Sequence, residues 1–188
     1  MVARFRDELA RKGHAKRLFH GTGLGPRCGF GIDPRSGPCG GGGCALCSIC
    51  RRGFSLDAAG RHGGSSMALR YGRGLYFSAT SGKSHDYAGG SKRARPDGSG
   101  RAVSWFVMLL CSVAVGRPYE TARGHIPEEE VLRLVRGEQG GSGGDGNGDS
   151  GAFGSVSGLV GPDLNYDETV VYDEAAALPS FLVAYTMT

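Results

Sequence analysis

Five of the six cysteines lie in one glycine-rich stretch, and their spacing suits metal binding. The last three follow a Cys-x-x-Cys-x-x-Cys pattern. In an intracellular protein such spacing favours zinc over disulfides, and a tetrahedral zinc site takes four ligands. We therefore expect a structural zinc ion on Cys28, Cys39, Cys44 and Cys47, with Cys50 as the substitute ligand. Cysteines that are merely neighbours in sequence are the competing interpretation.

A single acidic side chain begins an otherwise apolar and β-branched run near the C-terminal end. Glu168 precedes Thr169, Val170 and Val171, which have the composition of a strand. An unpaired carboxylate inside such a strand is costly to bury, so it either faces solvent or has a function. A carboxylate can stabilise a developing positive charge and polarise a hydroxyl group. Glu168 is therefore the first candidate for a catalytic group.

Two further segments combine aromatic, histidine and hydroxyl side chains beside glycines. One is Leu18-Phe19-His20-Gly21-Thr22, and the other runs from Tyr71-Gly72-Arg73-Gly74-Leu75-Tyr76-Phe77 to Ser81-Gly82-Lys83-Ser84-His85-Asp86-Tyr87. Taken alone, an aromatic residue in a strand more often packs in a core than stacks on a ligand. A lone histidine is likewise more often structural than a ligand contact. Only their combination argues for a site.

Four segments in this order resemble the poly(ADP-ribose) polymerase branch of the ADP-ribosyltransferases. They are the His20 segment (residues 18–22), the Tyr76 segment (71–87), the apolar run 108–116, and the Glu168 segment with the strand after it (165–185). The resemblance implies an α+β ADP-ribosyltransferase fold, with two packed mixed β-sheets around a NAD cleft and few short helices. The Cys-rich zinc-type insertion (28–50) falls where better-known members have a short helix, so its metal assignment depends on spacing.

The resemblance also implies which residues bind and cleave NAD. Glu168, His20 and Tyr76 would be the catalytic set. The residues expected to bind NAD are His20, Gly21, Thr22, Tyr76, Phe77, Lys83, Ser84 and Tyr87.

Each implied role has a chemical reason. The two tyrosines would sandwich the nicotinamide ring, while Ser84 and the main chain of Gly21 hold its carboxamide. His20 would bond a ribose hydroxyl on the adenosine side. Glu168 would bind the 2′-hydroxyl of the nicotinamide ribose and favour the oxocarbenium-like state of glycosyl transfer.

The elements that must position these residues follow from apolar patterning and turn residues. We expect helices over residues 5–18, from Ser81 with Thr80 or Ser81 as its cap, and over 127–135. Strands are expected at 75–77, 103–115, 168–172 and 181–186. Two stretches read as loops, the cysteine-rich 28–50 and the flexible glycine-rich 137–158.

Bulk properties set the class of protein. The 188 residues are short enough for a single catalytic domain (1–188), and the net charge of +4 is too small to indicate nucleic-acid binding by itself. The first residues are charged, unlike a secretory signal, and the apolar run 103–115 is too short to span a bilayer. We expect an intracellular protein, nuclear or cytoplasmic, without a membrane partner.

The expected function is transfer of ADP-ribose from NAD to a protein or nucleic-acid acceptor, with release of nicotinamide, as single units or as polymer. Three alternatives remain open at this point. The first is a NAD glycohydrolase on the same fold. The second is removal of a 2′-phosphate from RNA, for which Arg70 and Arg73 do not form an obvious set. The third is a non-catalytic ADP-ribose- or NAD-binding module, against which Glu168 argues.

Overall fold

The computed structural model describes residues 1–40, 43–60, 69–88, 95–138 and 151–187. The helices in these ranges are α1 (Val2–Lys12), α2 (Ala45–Arg52), α3 (Ser81–His85) and α4 (Glu128–Arg136). The strands are β1 (Ala15–Gly21), β2 (Leu75–Phe77), β3 (Arg95–Pro96), β4 (Ala102–Val103), β5 (Trp105–Ala114), β6 (Pro118–Thr121), β7 (Ser155–Gly158), β8 (Glu168–Val171) and β9 (Ala177–Thr186). None of these helices has the length and apolarity that a membrane crossing requires.

The long apolar run forms the middle strand of a three-stranded antiparallel sheet in the order β1-β5-β9. Alternate residues of β5 are buried, among them Val107, Cys111 and Val113. Cys111 is thus the small buried hydrophobe that an apolar strand accommodates. The predicted central strand is confirmed.

A second sheet carries the other predicted site segments, in the order β2-β8-β7-β6. Strand β8 is antiparallel to β2 and β7, whereas β6 and β7 are parallel, so this sheet is mixed. The two sheets are bridged where Phe19 of β1 and Ser78 after β2 exchange main-chain hydrogen bonds of 2.8 and 3.1 Å. This bridge brings the end of β1 beside the end of β2.

Two expected boundaries are wrong. Helix α1 ends at Lys12, because Gly13 adopts a left-handed conformation (φ 76°) and donates its N–H to Leu9; residues 15–18 therefore belong to β1 instead of the helix. Strand β9 begins at Ala177 and not at 181. It tolerates Pro179 because β9 is an edge strand, and its pairing with β5 is irregular beside that proline.

Each of the two expected loops also contains part of a helix or a strand. Stretch 28–50 contains the start of α2, with Cys44 as N-cap. Stretch 137–158 ends in the buried strand β7, while its residues 139–150 lie outside the described ranges. Gly158 is required there by close packing, since a Cβ would overlap the hydroxyl of Tyr71.

Candidate active site and cysteine cluster

His20 lies near the end of β1 and is held by the second sheet. Its Nδ1 donates a hydrogen bond of 2.9 Å to the carbonyl of Tyr76. The ring contacts Phe54 edge-on, with centroids 5.0 Å apart, and Phe77 at 5.5 Å. Burial lowers the pKa of His20, and the bond to the Tyr76 carbonyl opposes this only in part. The neutral ring therefore carries its proton on Nδ1, which leaves Nε2 as an acceptor for a hydroxyl group.

Gly21 is required by the close approach of α3. A Cβ at this position would overlap the main-chain carbonyl oxygen of Ser84 and come within 2.9 Å of the Cβ of Tyr87. Thr22 and Ser84 are both buried, with 6% and 4% of their surfaces exposed. The turn after His20 and helix α3 are thus packed directly on each other.

The two tyrosines of the expected nicotinamide sandwich differ in how firmly they are held. The Tyr76 hydroxyl donates to the carbonyl of Gly72 (2.8 Å) and accepts from the N–H of Tyr71 (3.0 Å). Tyr87 is 46% exposed, and the Lys83 ammonium lies 5.4 Å from its ring centroid. The Tyr76 ring is therefore held in place, whereas the Tyr87 ring is exposed to solvent.

Phe77, also expected among the NAD-binding residues, is placed differently. Its side chain is 3% exposed and packs against the rings of His20 and Phe54. Its contact is with His20, so it supports the histidine from within the core.

Glu168 is buried and its two carboxylate oxygens have different environments. Oε1 lies 2.8 Å from the Lys83 ammonium, while Oε2 is buried without a hydrogen-bond partner among the described residues. Burial opposes the charge of Lys83, but its hydrogen bond to Glu168 and that carboxylate's charge raise the pKa of Lys83 above its usual value. A buried acceptor atom without a partner is unusual in a folded protein. Oε2 is the atom of this site with an open hydrogen-bonding position.

Asp167, which the sequence did not single out, connects β8 to the start of α3. Its carboxylate accepts from the Ser78 hydroxyl (2.9 Å), the Ala79 N–H (2.7 Å) and the Thr80 hydroxyl (3.0 Å). Thr80 is the N-cap residue of α3, but its hydroxyl goes to Asp167 instead of to the helix. These bonds join residues 87 to 89 positions apart, so no local pattern could have indicated them.

The four cysteines selected from sequence converge. The Sγ atoms of Cys28, Cys39, Cys44 and Cys47 lie within 4.8 Å of one another, and three of the four side chains are buried. Four sulfurs around a tetrahedral zinc ion are spaced by about 3.8 Å, given zinc–sulfur bonds of about 2.3 Å. Cys50 is not in the group; it is half-buried and packs against the core. The cluster therefore offers four thiols in the arrangement that a metal ion requires.

The two arginines considered for RNA 2′-phosphate binding have different partners. Arg70 donates to the carbonyl of Gly124 at 3.0 Å. Arg73 donates to the carbonyl of Leu56 and pairs with Asp57 at 3.1 Å. These contacts do not argue for a shared phosphate site.

The family model of the poly(ADP-ribose) polymerase catalytic domain matches residues 39–187. No curated protein matches the chain at a significant level. The matched range includes Tyr76, Ser84 and Glu168 but begins after His20, which the structure joins to this range through its bond to Tyr76. Because the match spans well over half of the chain and the fold is α+β with two packed sheets, this protein belongs to the poly(ADP-ribose) polymerase catalytic domain family.

Proposed function

We propose that this chain cleaves NAD and transfers its ADP-ribose to an acceptor, with release of nicotinamide. The observation that carries the proposal is the Glu168 carboxylate, buried and bound through one oxygen to Lys83 while the other oxygen has no partner among the described residues. In the β2–β8 register Phe77 lies across from Thr169, so Ser78 and Glu168 are the next residues along the two strands, and Ser78 bridges to Phe19 beside His20. The unpartnered oxygen therefore lies near the end of the sheets where the two other site segments meet.

The reaction suits this carboxylate. When the bond between nicotinamide nitrogen and ribose breaks, its electron pair leaves with the nitrogen, so cationic nicotinamide becomes neutral and the ribose carbon becomes oxocarbenium-like. A fixed negative charge near that carbon stabilises the transition state more than the ground state. A ribose hydroxyl that donates to Oε2 would satisfy the unpartnered atom and orient the sugar.

The remaining site residues would bind the rest of NAD. The fixed ring of Tyr76 and the exposed ring of Tyr87 would enclose the nicotinamide, whose carboxamide would meet the Ser84 hydroxyl and the main chain of Gly21. The neutral His20 ring, with its acceptor nitrogen free of the Tyr76 bond, would accept from a hydroxyl of the adenosine ribose.

The acceptor completes the reaction. A hydroxyl, carboxylate or phosphate oxygen of a protein or nucleic acid would attack the ribose carbon, and any proton on that oxygen would pass to Glu168 or to solvent. Transfer of single units and extension into polymer both use this chemistry, and the size of the product distinguishes them. Attack by water instead is the glycohydrolase alternative.

We also propose zinc as the ion bound by Cys28, Cys39, Cys44 and Cys47. Four closely spaced sulfur ligands without an open position are typical of structural zinc, which closes loops and does not take part in catalysis.

The test uses NAD labelled on its adenylate, with separate measurement of labelled macromolecule, free ADP-ribose and free nicotinamide. The wild type should release nicotinamide and label an acceptor, and Glu168→Gln should lose at least about 100-fold in rate. Glu129→Gln is the matched control, because Glu129 is exposed on α4.

Each outcome separates the alternatives. Free ADP-ribose without labelled macromolecule identifies a glycohydrolase. NAD binding without nicotinamide release from any variant identifies a non-catalytic binding module and contradicts the proposal.

A further inference from the structure

The cysteine cluster contacts the chain segment that leaves His20. After the His-Gly-Thr turn, the carbonyl of Gly23 accepts from the N–H of Leu46 at 3.4 Å. The N–H of Gly25 donates to Sγ of Cys44 at 3.3 Å, and a Cβ on Gly25 would lie 3.1 Å from that of Cys44. This segment then ends at Cys28, itself one of the four cysteines. Its path from His20 to the cluster is only eight residues long, as the numbering gives directly.

The same cluster contains the start of the segment that packs on the His20 ring. Cys44 is the N-cap of α2, and Cys47 lies in its first turn. The helix ends at Arg52, and only Gly53 separates it from Phe54. Phe54 then packs edge-on against His20, with the ring planes at 84°, and against Phe77 with centroids 5.3 Å apart.

Apart from the core packing of Leu46 and Phe54, the two segments are joined to each other by weak contacts. Helix α2 has eight residues, fewer than an isolated helix needs for stability in water. The hydrogen bonds that join Gly23 to Leu46 and Gly25 to Cys44 are long or involve sulfur, which is a weak acceptor. A metal ion on four thiolates would replace these contacts by four strong bonds that connect positions 28, 39, 44 and 47.

We infer that the four-cysteine metal site positions His20 by holding the turn that follows it and the helix that leads to Phe54, so that metal occupancy controls NAD affinity. The inference rests on the proposed function for its consequence at NAD. Metal loss would release the Phe54 ring and widen the set of His20 orientations. NAD binding would then have to order both segments, and the conformational entropy lost in doing so would weaken the affinity for NAD.

The position of His20 can be measured without NAD. We would record the imidazole resonances of the metal-loaded chain, remove the metal with a chelator, and then restore zinc. The His20 resonances should shift or broaden on removal and return on restoration. His85 is the internal control, because its Nδ1 bonds the Tyr185 hydroxyl and its ring packs on Phe106. His85 resonances that move as much as those of His20 would indicate general unfolding and overturn the inference.

Metal content and NAD affinity are measured on the same samples. The wild type and Cys50→Ser should hold about one zinc per chain, whereas Cys44→Ser should hold much less. Metal removal should weaken NAD binding by at least about tenfold. In a His20→Ala background the further loss should be small, because two changes that act through one residue are not additive.

The outcomes are separable. Equal metal content in Cys44→Ser and Cys50→Ser, or unchanged His20 resonances after metal removal, contradicts the inference whatever NAD does. If the His20 resonances depend on the metal but the metal-loaded chain does not bind NAD, the proposed function is contradicted. Only the positioning of His20 by the metal site is then supported. Loss of NAD affinity that is equal in wild type and His20→Ala shows that the metal acts elsewhere, and it too overturns the inference.

Discussion

The Lys83 ammonium lies 2.8 Å from Oε1 of Glu168, and it leaves the other carboxylate oxygen without a partner among the described residues. Because α3 carries Lys83 and β8 carries Glu168, the pair joins the helix that borders Gly21 to the second sheet. Lys83 offsets part of the cost of burying the carboxylate, and Oε2 keeps an unused hydrogen-bonding position.

Lys83→Met should lower the rate of nicotinamide release on the order of 100-fold, because the carboxylate loses the ammonium group that lies 2.8 Å from Oε1. Lys83→Arg keeps the charge and should retain more activity, although its larger planar head fits the site less well. The measurement is kcat and KM for NAD in each variant. Lys16→Met, at an exposed position on β1, is the control. Equal activity in Lys83→Met and Lys16→Met would show that the ion pair does not act in the reaction.

Asp167 is predicted to be a positioning residue. Asp167→Ala removes three hydrogen bonds that fix Ser78, Ala79 and Thr80, and should cost about 1 to 3 kcal/mol of unfolding free energy. Asp167→Asn should recover part of the loss, since an amide oxygen still accepts but its NH₂ cannot accept from the Ala79 N–H. Denaturant unfolding and kcat are measured together, with the exposed Asp86→Ala as control.

A purely structural Asp167 would change stability alone. If Asp167→Ala keeps full kcat at a temperature where it is folded, the positioning role is wrong. A kcat order of wild type, Asn and then Ala, with little change in KM for NAD, supports it.

Gly21→Ala should disturb the site far more than Gly23→Ala. A Cβ at Gly21 would overlap the Ser84 carbonyl, a main-chain atom that cannot rotate away, whereas a Cβ at Gly23 meets nothing within 4 Å. We expect a loss of about 1 to 3 kcal/mol of unfolding free energy in Gly21→Ala, with NAD affinity reduced as α3 shifts. Thermal unfolding and NAD titration of the two alanine variants test this. Similar values for both would mean that α3 does not press on the turn after His20.

The structural role of a residue could be predicted where residues close to it in sequence determine that role. The β5 segment is apolar except for Ser112 and its alternate side chains are fully buried, so its strand could be predicted from composition. Cys44 and Cys47 were recognised because metal-binding thiols recur at short spacing. The prediction of a loop was wrong where α2 begins. The glycines before the helix indicate a loop, but Leu46 and Cys47 form its buried face.

Residues whose environment is built from distant segments were not predictable in the same way. Asp167 was missed because its partners lie almost ninety residues earlier. The sequence suggests that Gly21 approaches a ligand, yet the closest atoms to its absent Cβ belong to Ser84 on α3 and to Tyr87 just after that helix. Ser155–Gly158 reads as the end of a flexible glycine-rich loop, and only its pairing with β6 and β8 makes it a buried strand.

Because of His20, the free energy of unfolding should decrease as the pH is lowered. Burial lowers the pKa of His20 in the folded state, so between that value and about 6.5, the usual value in an unfolded chain, only the unfolded state takes up the proton. Above about pH 6.5 the titration of His20 therefore does not change the free energy of unfolding. Below that pH it lowers the free energy of unfolding by at most about 1.4 kcal/mol per pH unit. The difference in unfolding free energy between wild type and His20→Asn, which keeps a donor for the Tyr76 carbonyl but does not titrate, isolates this contribution. It should be constant from pH 8 to 7 and then shift against the wild type as the pH falls. A difference that stays level to pH 5, or that moves in favour of the wild type, would show that the imidazole is not buried in its neutral form.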